Sequence, residues 1–342
     1  MTTHFALLPL SLAILALSCP IAWSQDAGKA PLRAGIIGAD TSHAIAFTKL
    51  LNDPKAPPAL QGVRVVAAYP GGSPDVPSSR DRVPEYTAQL RDEFGVEIVD
   101  SIDALLKKVD VVLLESVDGR PHCKQAEPVL RAGKTLFIDK PVAGSLADAV
   151  RIYDLAAELK VPVFSSSALR FGKATLAAKA DPSVGAIVGC DAYSPCSLEE
   201  HHPDLFWYGV HGVESLYTIM GVGCVSVART STPGTDLVVG TWADGRIGTF
   251  RGLRDGKHDF GVTVHGRKGI AHHPGFDGYG GLVAEIVRFF QTGKAPVTPK
   301  ETIELFAFME AADVSKSRGG APVALADVLA AAQKEARTVA SP

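Results

Sequence analysis

Between residues 32 and 165, short apolar runs alternate with segments whose apolar residues recur every three or four positions, the pattern of successive strand–helix–strand units. The predicted strands are Arg33 to Ile37, Val63 to Ala68, Val96 to Val99, Val109 to Leu114, Thr135 to Ile138 and Val161 to Phe164. Helices are predicted between them, over Ser42 to Leu51, Glu85 to Phe94, Ile102 to Lys107, Pro121 to Ala132 and Leu146 to Leu159. Strands made largely of Val, Ile and Leu are buried on both faces, so they belong to a parallel sheet with helices on each side. Residues 32–165 therefore read as a doubly wound α/β domain.

After Ser165-Ser166-Ser167 the pattern changes to strands joined by tight turns. Asp244-Gly245 is a hairpin signal, because Gly supplies the positive φ that such turns need. Its flanks, Leu237 to Trp242 and Arg246 to Leu253, should pair. A second hairpin is predicted from Phe260 to His265 through Gly266-Arg267-Lys268-Gly269 to Ile270–His272. Helical stretches follow at Gly281 to Gln291, with Leu282, Ile286, Phe289 and Phe290 on one face, and at Lys300 to Lys316. Residues 166–340 thus read as an α+β domain with a mainly antiparallel sheet. An open face of that sheet offers a surface for a homo-oligomer.

Composition narrows the function. The chain has 342 residues, 46% hydrophobic and 21% charged, which excludes disorder for most of it and favours two domains. Lys and Arg number 34 against 37 Asp and Glu, with no basic run, so nucleic acid is not an expected partner. The apolar run Phe5 to Leu17 is broken by Pro9 and Ser11 and falls short of the ~20 residues that span a bilayer. With Ala22-Trp23-Ser24 before Gln25 it reads instead as a signal peptide over residues 1–24, placing the mature protein in the periplasm or outside the cell. No twin Arg is present, so export of an unfolded chain is expected. Removing the signal leaves Cys123, Cys190, Cys196 and Cys224 without a Cys-x-x-Cys spacing, which suggests buried thiols or one disulfide in the second half rather than a zinc or redox motif.

The first strand runs into Gly38-Ala39-Asp40-Thr41-Ser42-His43, where a dinucleotide fold places Gly-x-Gly-x-x-Gly before a helix. Gly38 alone is retained. Asp40 reads as a helix N-cap whose carboxylate takes the positive helix end and opposes a phosphate there. Tyr69 ends the second strand where an acid commonly binds the ribose. Glu199-Glu200-His201-His202-Pro203-Asp204 and His272-His273 concentrate metal-ligand types. Adjacent residues on a strand point to opposite faces, however, and a polar loop at a pocket rim is the simpler reading, so no metal site is assigned. Phe206-Trp207-Tyr208 suits either a sugar's apolar face or ordinary core.

Ala132-Gly133-Lys134-Thr135-Leu136-Phe137-Ile138-Asp139-Lys140-Pro141 resembles the Ala-Gly-Lys-x-Val-x-x-Glu-Lys-Pro signature of the Gfo/Idh/MocA oxidoreductases. Val109-Asp110-Val111-Val112, with His122 twelve residues after Asp110, and the C-terminal pattern from Pro296 through Glu310-Ala311-Ala312 to Val323 extend the resemblance over most of the mature chain. It implies a Rossmann-like N-terminal domain, NAD or NADP as cofactor, and a sugar or polyol as the small-molecule substrate. It places Lys140 beside the nicotinamide and the reacting carbon. The cofactor contacts implied are Gly38, Asp40, Thr41, Ser42, Ser116, His122 and Lys140. In Trp207-Tyr208-Gly209-Val210-His211-Gly212-Val213-Glu214, His211 takes the place of the catalytic His of Asp-x-x-x-His, and Trp207 replaces the Asp. Glu214 or Tyr208 is then expected to orient His211. The departures at Asp40, Tyr69 and Trp207 keep two other readings open: a glycoside lyase or hydrolase using transient oxidation or a metal, and a sugar-binding protein without catalysis.

Overall fold

The continuous apolar runs form a six-stranded parallel sheet. Its strands are β1 (Leu32–Ile37), β2 (Val63–Tyr69), β3 (Glu97–Ile98), β4 (Val111–Leu114), β5 (Thr135–Asp139) and β6 (Val163–Ser166), in the order β3-β2-β1-β4-β5-β6. The computed structural model describes Met1 and residues 30–339; apart from Met1, the expected signal segment lies outside the described residues. Alternate residues supply the two faces of the sheet. On β5, Leu136 and Ile138 join the core with the helices His122–Arg131 and Leu146–Leu159, while Phe137 faces Phe47 of the helix Ser42–Asn52.

The second sheet contains β7 (Ile187–Pro195), β8 (Cys224–Thr232), β9 (Thr235–Trp242), β10 (Ile247–Leu253), β11 (Gly261–Gly266), β12 (Ile270–Pro274) and β13 (Val323–Ala324), in the order β12-β11-β7-β10-β9-β8-β13. Both expected hairpins form, β9 with β10 and β11 with β12. Gly245 takes φ +85° in the first turn. The sheet is mainly antiparallel, but β10 pairs with β7 in parallel. A continuous apolar core joins Val112 and Leu136 of the first sheet to Val213 and Phe250 of the second half.

One helix goes elsewhere than expected. Gly280–Thr292, read from sequence as part of the second domain, inserts Leu282, Ile286 and Phe289 into the core under the first sheet, where Phe289 meets Phe164 edge-on. Its apolar stripe identifies a buried face but not which sheet covers it.

Candidate active site

The parallel order brings the ends of β1, β4, β5 and β6 to one edge, and the strand order reverses between β1 and β4, the position where α/β sheets bind ligands. A cavity of about 330 Å³ lies there. Thr41, Ser42 and His43 line it from the first helix, Lys140 from the end of β5, and Trp207, Tyr208 and His211 from the second half. Phe260, Phe276 and Tyr279 complete aromatic walls, and among the described residues no Asp or Glu lines the cavity.

Lys140 is 8% exposed, and its Nζ lies 5.7 Å from the centroid of the Tyr208 ring. Burial lowers its pKa, opposed by the negative charges of Asp139 and Glu115. His211 sits in the first turn of the helix Val210–Met220, with its ring 4.8 Å from that of Tyr208. Burial, reinforced by the positive charges of Lys140 and His43, holds His211 well below the ordinary 6.5, so its imidazole is neutral at pH 7. The two residues singled out for catalysis therefore share one cavity and one aromatic neighbour.

The partner of His211 differs from expectation. Ser167, just beyond β6, has its Oγ 2.7 Å from His211 Nδ1 and also accepts from the Leu169 N–H at 3.2 Å. Glu214 instead accepts from Ser166 Oγ at 2.8 Å and from Arg170 Nε at 2.5 Å. A carboxylate already held by a guanidinium is not available to the imidazole, and Tyr208 offers its ring. A hydroxyl thus replaces the carboxylate usual in such a pair. The Ser165–Ser167 run marked the end of a strand in the sequence and carried no sign of this contact.

The turn after β1 also corrects the sequence reading. Thr41, not Asp40, caps the helix, its Oγ1 accepting from the His43 N–H at 3.3 Å. Asp40 is fully buried and turned away, accepting from Ser79 Oγ at 2.6 Å and from the Val117 N–H at 3.0 Å. Its carboxylate therefore bridges the loops after β1 and β4 instead of facing the helix end. Gly38 has φ +97°, and a Cβ there would meet Ser116 N at 2.4 Å, so no other residue fits without moving that loop. Ser116 Oγ donates to Gln125 Oε1 at 3.0 Å. His122 is fully buried, with Nε2 2.8 Å from Ser116 O and Nδ1 3.3 Å from Val142 O; from there it reaches a ligand only through the loops it holds. Further ties cross the same edge. Ala39 N–H donates to Pro70 O at 2.7 Å, Ser73 Oγ to Asp118 at 2.6 Å, and Arg120 to Asp75 at 2.8 Å.

The histidine-rich segments disperse. His201 pairs with Glu199, His202 is buried against Asp118 at 3.0 Å, His272 stacks on Tyr193 and His273 faces Asp181. The aromatic run splits, with Phe206 in the core against Phe306 while Trp207 and Tyr208 line the cavity. Cys123, Cys190, Cys196 and Cys224 are free thiols, and burial pushes Cys196 and Cys224 up to about 12. Sequence reasoning missed Ser78 and Arg82, which line the cavity from the segment after β2; Arg82 makes no ion pair among the described residues.

Residues 32–167 match the family described as "Oxidoreductase family, NAD-binding Rossmann fold". The chain is 34% identical over 93 residues to dTDP-3,4-didehydro-2,6-dideoxy-alpha-D-glucose 3-reductase of Streptomyces violaceoruber; the match spans 27% of this chain and 27% of that relative's length. Solved structures share the fold across both halves. One is a putative myo-inositol dehydrogenase from Sinorhizobium meliloti 1021, at TM-score 0.71 and 16% identity, covering 86% of this chain and 99% of that one. Another is GenD2 from gentamicin A biosynthesis in complex with NAD, at TM-score 0.69 and 18% identity, covering 86% and 96%. Residues 32–167 thus match the NAD-binding Rossmann domain of the Gfo/Idh/MocA oxidoreductase family, and the fold of both halves is shared with the solved structures.

Proposed function

We propose that the protein is a nicotinamide-dependent oxidoreductase acting on a hydroxyl of a sugar or polyol. The observation that carries this reading is the convergence of buried Lys140 and neutral His211 on one aromatic-walled cavity. Bound NAD or NADP supplies the hydride acceptor or donor. The donor set suits its phosphates: the helix start at Thr41-Ser42, the Ser78 hydroxyl and Arg82 line the cavity, and among the described residues Arg82 has no ion pair and no carboxylate joins the lining to repel them. His211 takes the hydroxyl proton at Nε2 when its Nδ1–H donates to Ser167 Oγ. The Lys140 ammonium steadies the oxygen as negative charge develops on it. Trp207 and Phe260, which line the cavity, exclude water from the reacting carbon and supply apolar surface for its C–H groups.

The ties Asp40–Val117, Ser73–Asp118 and Asp75–Arg120 favour a second reading, because they draw together the loops between which the adenosine half of a dinucleotide normally lies. In that reading the cavity binds a sugar, and His211 and Lys140 act on it without a nucleotide. Calorimetric titration with NAD and NADP, followed by 340 nm assays over a panel of sugars and polyols, separates the two. Nucleotide binding with turnover of a polyol supports the oxidoreductase. A sugar bound with no nucleotide affinity at millimolar concentration overturns it. Export belongs to the proposal as well, supported by the apolar run and Ala22-Trp23-Ser24, and a mature N-terminus at Gln25 is its expected outcome.

A further inference from the structure

His43, which lines the cavity, Glu115 and Asp139 approach one another so that one ligand atom from each lies within 4.8 Å of the other two, and all three side chains are buried. His43 Nδ1 is 2.6 Å from Asp139 Oδ2. Glu115 is fully buried, and neither carboxylate oxygen has a hydrogen-bond partner; Asp139 Oδ1 has none either. Three oxygens of these two carboxylates thus stand unsatisfied, whereas Asp40 and Asp118, also buried, have both oxygens engaged. An unpaired buried carboxylate is costly. Protonating Glu115 removes its charge but still leaves both oxygens without a partner. Lys140 lies close enough to interact electrostatically with both carboxylates, yet its ammonium donates a hydrogen bond to neither.

We propose that His43, Glu115 and Asp139 bind a divalent first-row metal ion, zinc or manganese in class, through one imidazole nitrogen and two carboxylates. That donor set suits such ions, and three protein ligands leave coordination positions for water or a substrate oxygen. The three residues are scattered through the chain: His43 stands where a dinucleotide turn carries its third Gly, Glu115 directly follows β4, and Asp139 precedes the signature lysine. None belongs to the histidine-rich segments that first suggested a metal. The inference does not depend on the redox reading, since its readout is the ion itself.

The full-length mature protein, stripped with a chelator and dialysed, is titrated with Zn²⁺, Mn²⁺ and Co²⁺. The expected result is one ion per chain by elemental analysis, visible Co²⁺ d–d bands, and an X-ray absorption first shell with one imidazole and the remainder oxygen. Glu115→Gln and Asp139→Asn should each weaken binding by at least 100-fold, while His201→Ala, in the surface loop, leaves it unchanged. Absence of any ion bound below about 100 μM, a first shell with two or more imidazoles, or wild-type affinity in Glu115→Gln overturns the proposal. Should the Glu115 and Asp139 variants fail to fold, stoichiometry and the first shell of the wild-type protein still decide it.

Discussion

Replacing Ser167 tests how His211 is tuned. The hydroxyl is 2.7 Å from Nδ1 in a buried setting, and in the proposed reaction it contacts an imidazole that becomes cationic as it accepts the substrate proton. A hydrogen bond to a charged group contributes about 1.5–3 kcal/mol, so Ser167→Ala should lower kcat roughly 10- to 150-fold. Ser167 does not line the cavity, so KM should stay within about twofold. Ser167→Asp should act on pH instead. In the wild type, burial and neighbouring cations depress the pKa of His211, so the imidazole is the unprotonated base throughout the neutral range. The acid limb of kcat for hydroxyl oxidation then lies well below pH 6.5. A carboxylate beside Nδ1 favours the imidazolium and raises that pKa by about 1–3 units, moving the limb upward. Initial rates of nicotinamide reduction between pH 4 and 9, with the polyol identified in the binding screen, measure both effects. Ser167→Ala keeping more than half of wild-type kcat, or Ser167→Asp leaving the limb in place, would refute the assignment of Ser167 as the group that positions His211.

Three further outcomes are expected. In the proposed reaction Lys140→Met removes the cation that faces the developing oxyanion, and it should lower kcat by about 10²–10³-fold in the same assay. Arg229 is fully buried and pairs with Asp236 and Asp204 at 2.9 and 2.8 Å and with Asp313; Arg229→Met strands Asp313, leaves Asp236 to Arg254 and Asp204 to Lys316, and should cost about 3 kcal/mol, seen as a lower urea midpoint at unchanged slope. Burial alone would raise the pKa of Asp118, but His202, Arg120 and Ser73 outweigh it and hold the carboxyl well below its usual range. A depressed carboxylate gives stability that is present above its unfolded pKa near 4 and lost as pH falls toward the folded value. Wild-type unfolding free energy should therefore decline below about pH 4, and Asp118→Asn, weaker at pH 7, should decline less; parallel curves would contradict this.

What could be read from the chain follows the range over which each feature is decided. The strands of the first sheet were legible because burial on both faces demands unbroken apolar runs, and β9–β10 because Asp244-Gly245 fixes a turn within its own four residues. Lys140 was legible for the same local reason, since Ala132 to Pro141 forms one helix-end, strand and turn. Asp40 misled because its residue type suits an N-cap, whereas its partners lie 39 and 77 residues away, and a buried carboxylate takes the strongest donors within reach wherever they lie in the chain. The parallel pairing of β10 with β7 and the insertion of Gly280–Thr292 under the first sheet are likewise decided between distant segments. Ser167 is the sharpest instance. It stands 44 residues from His211, and nothing in either neighbourhood predicts their contact. The sheet order that places β6 beside β5 brings the Ser167 hydroxyl and the Lys140 ammonium to the same edge, so the group that meets His211 Nδ1 becomes apparent only once the strands are assembled.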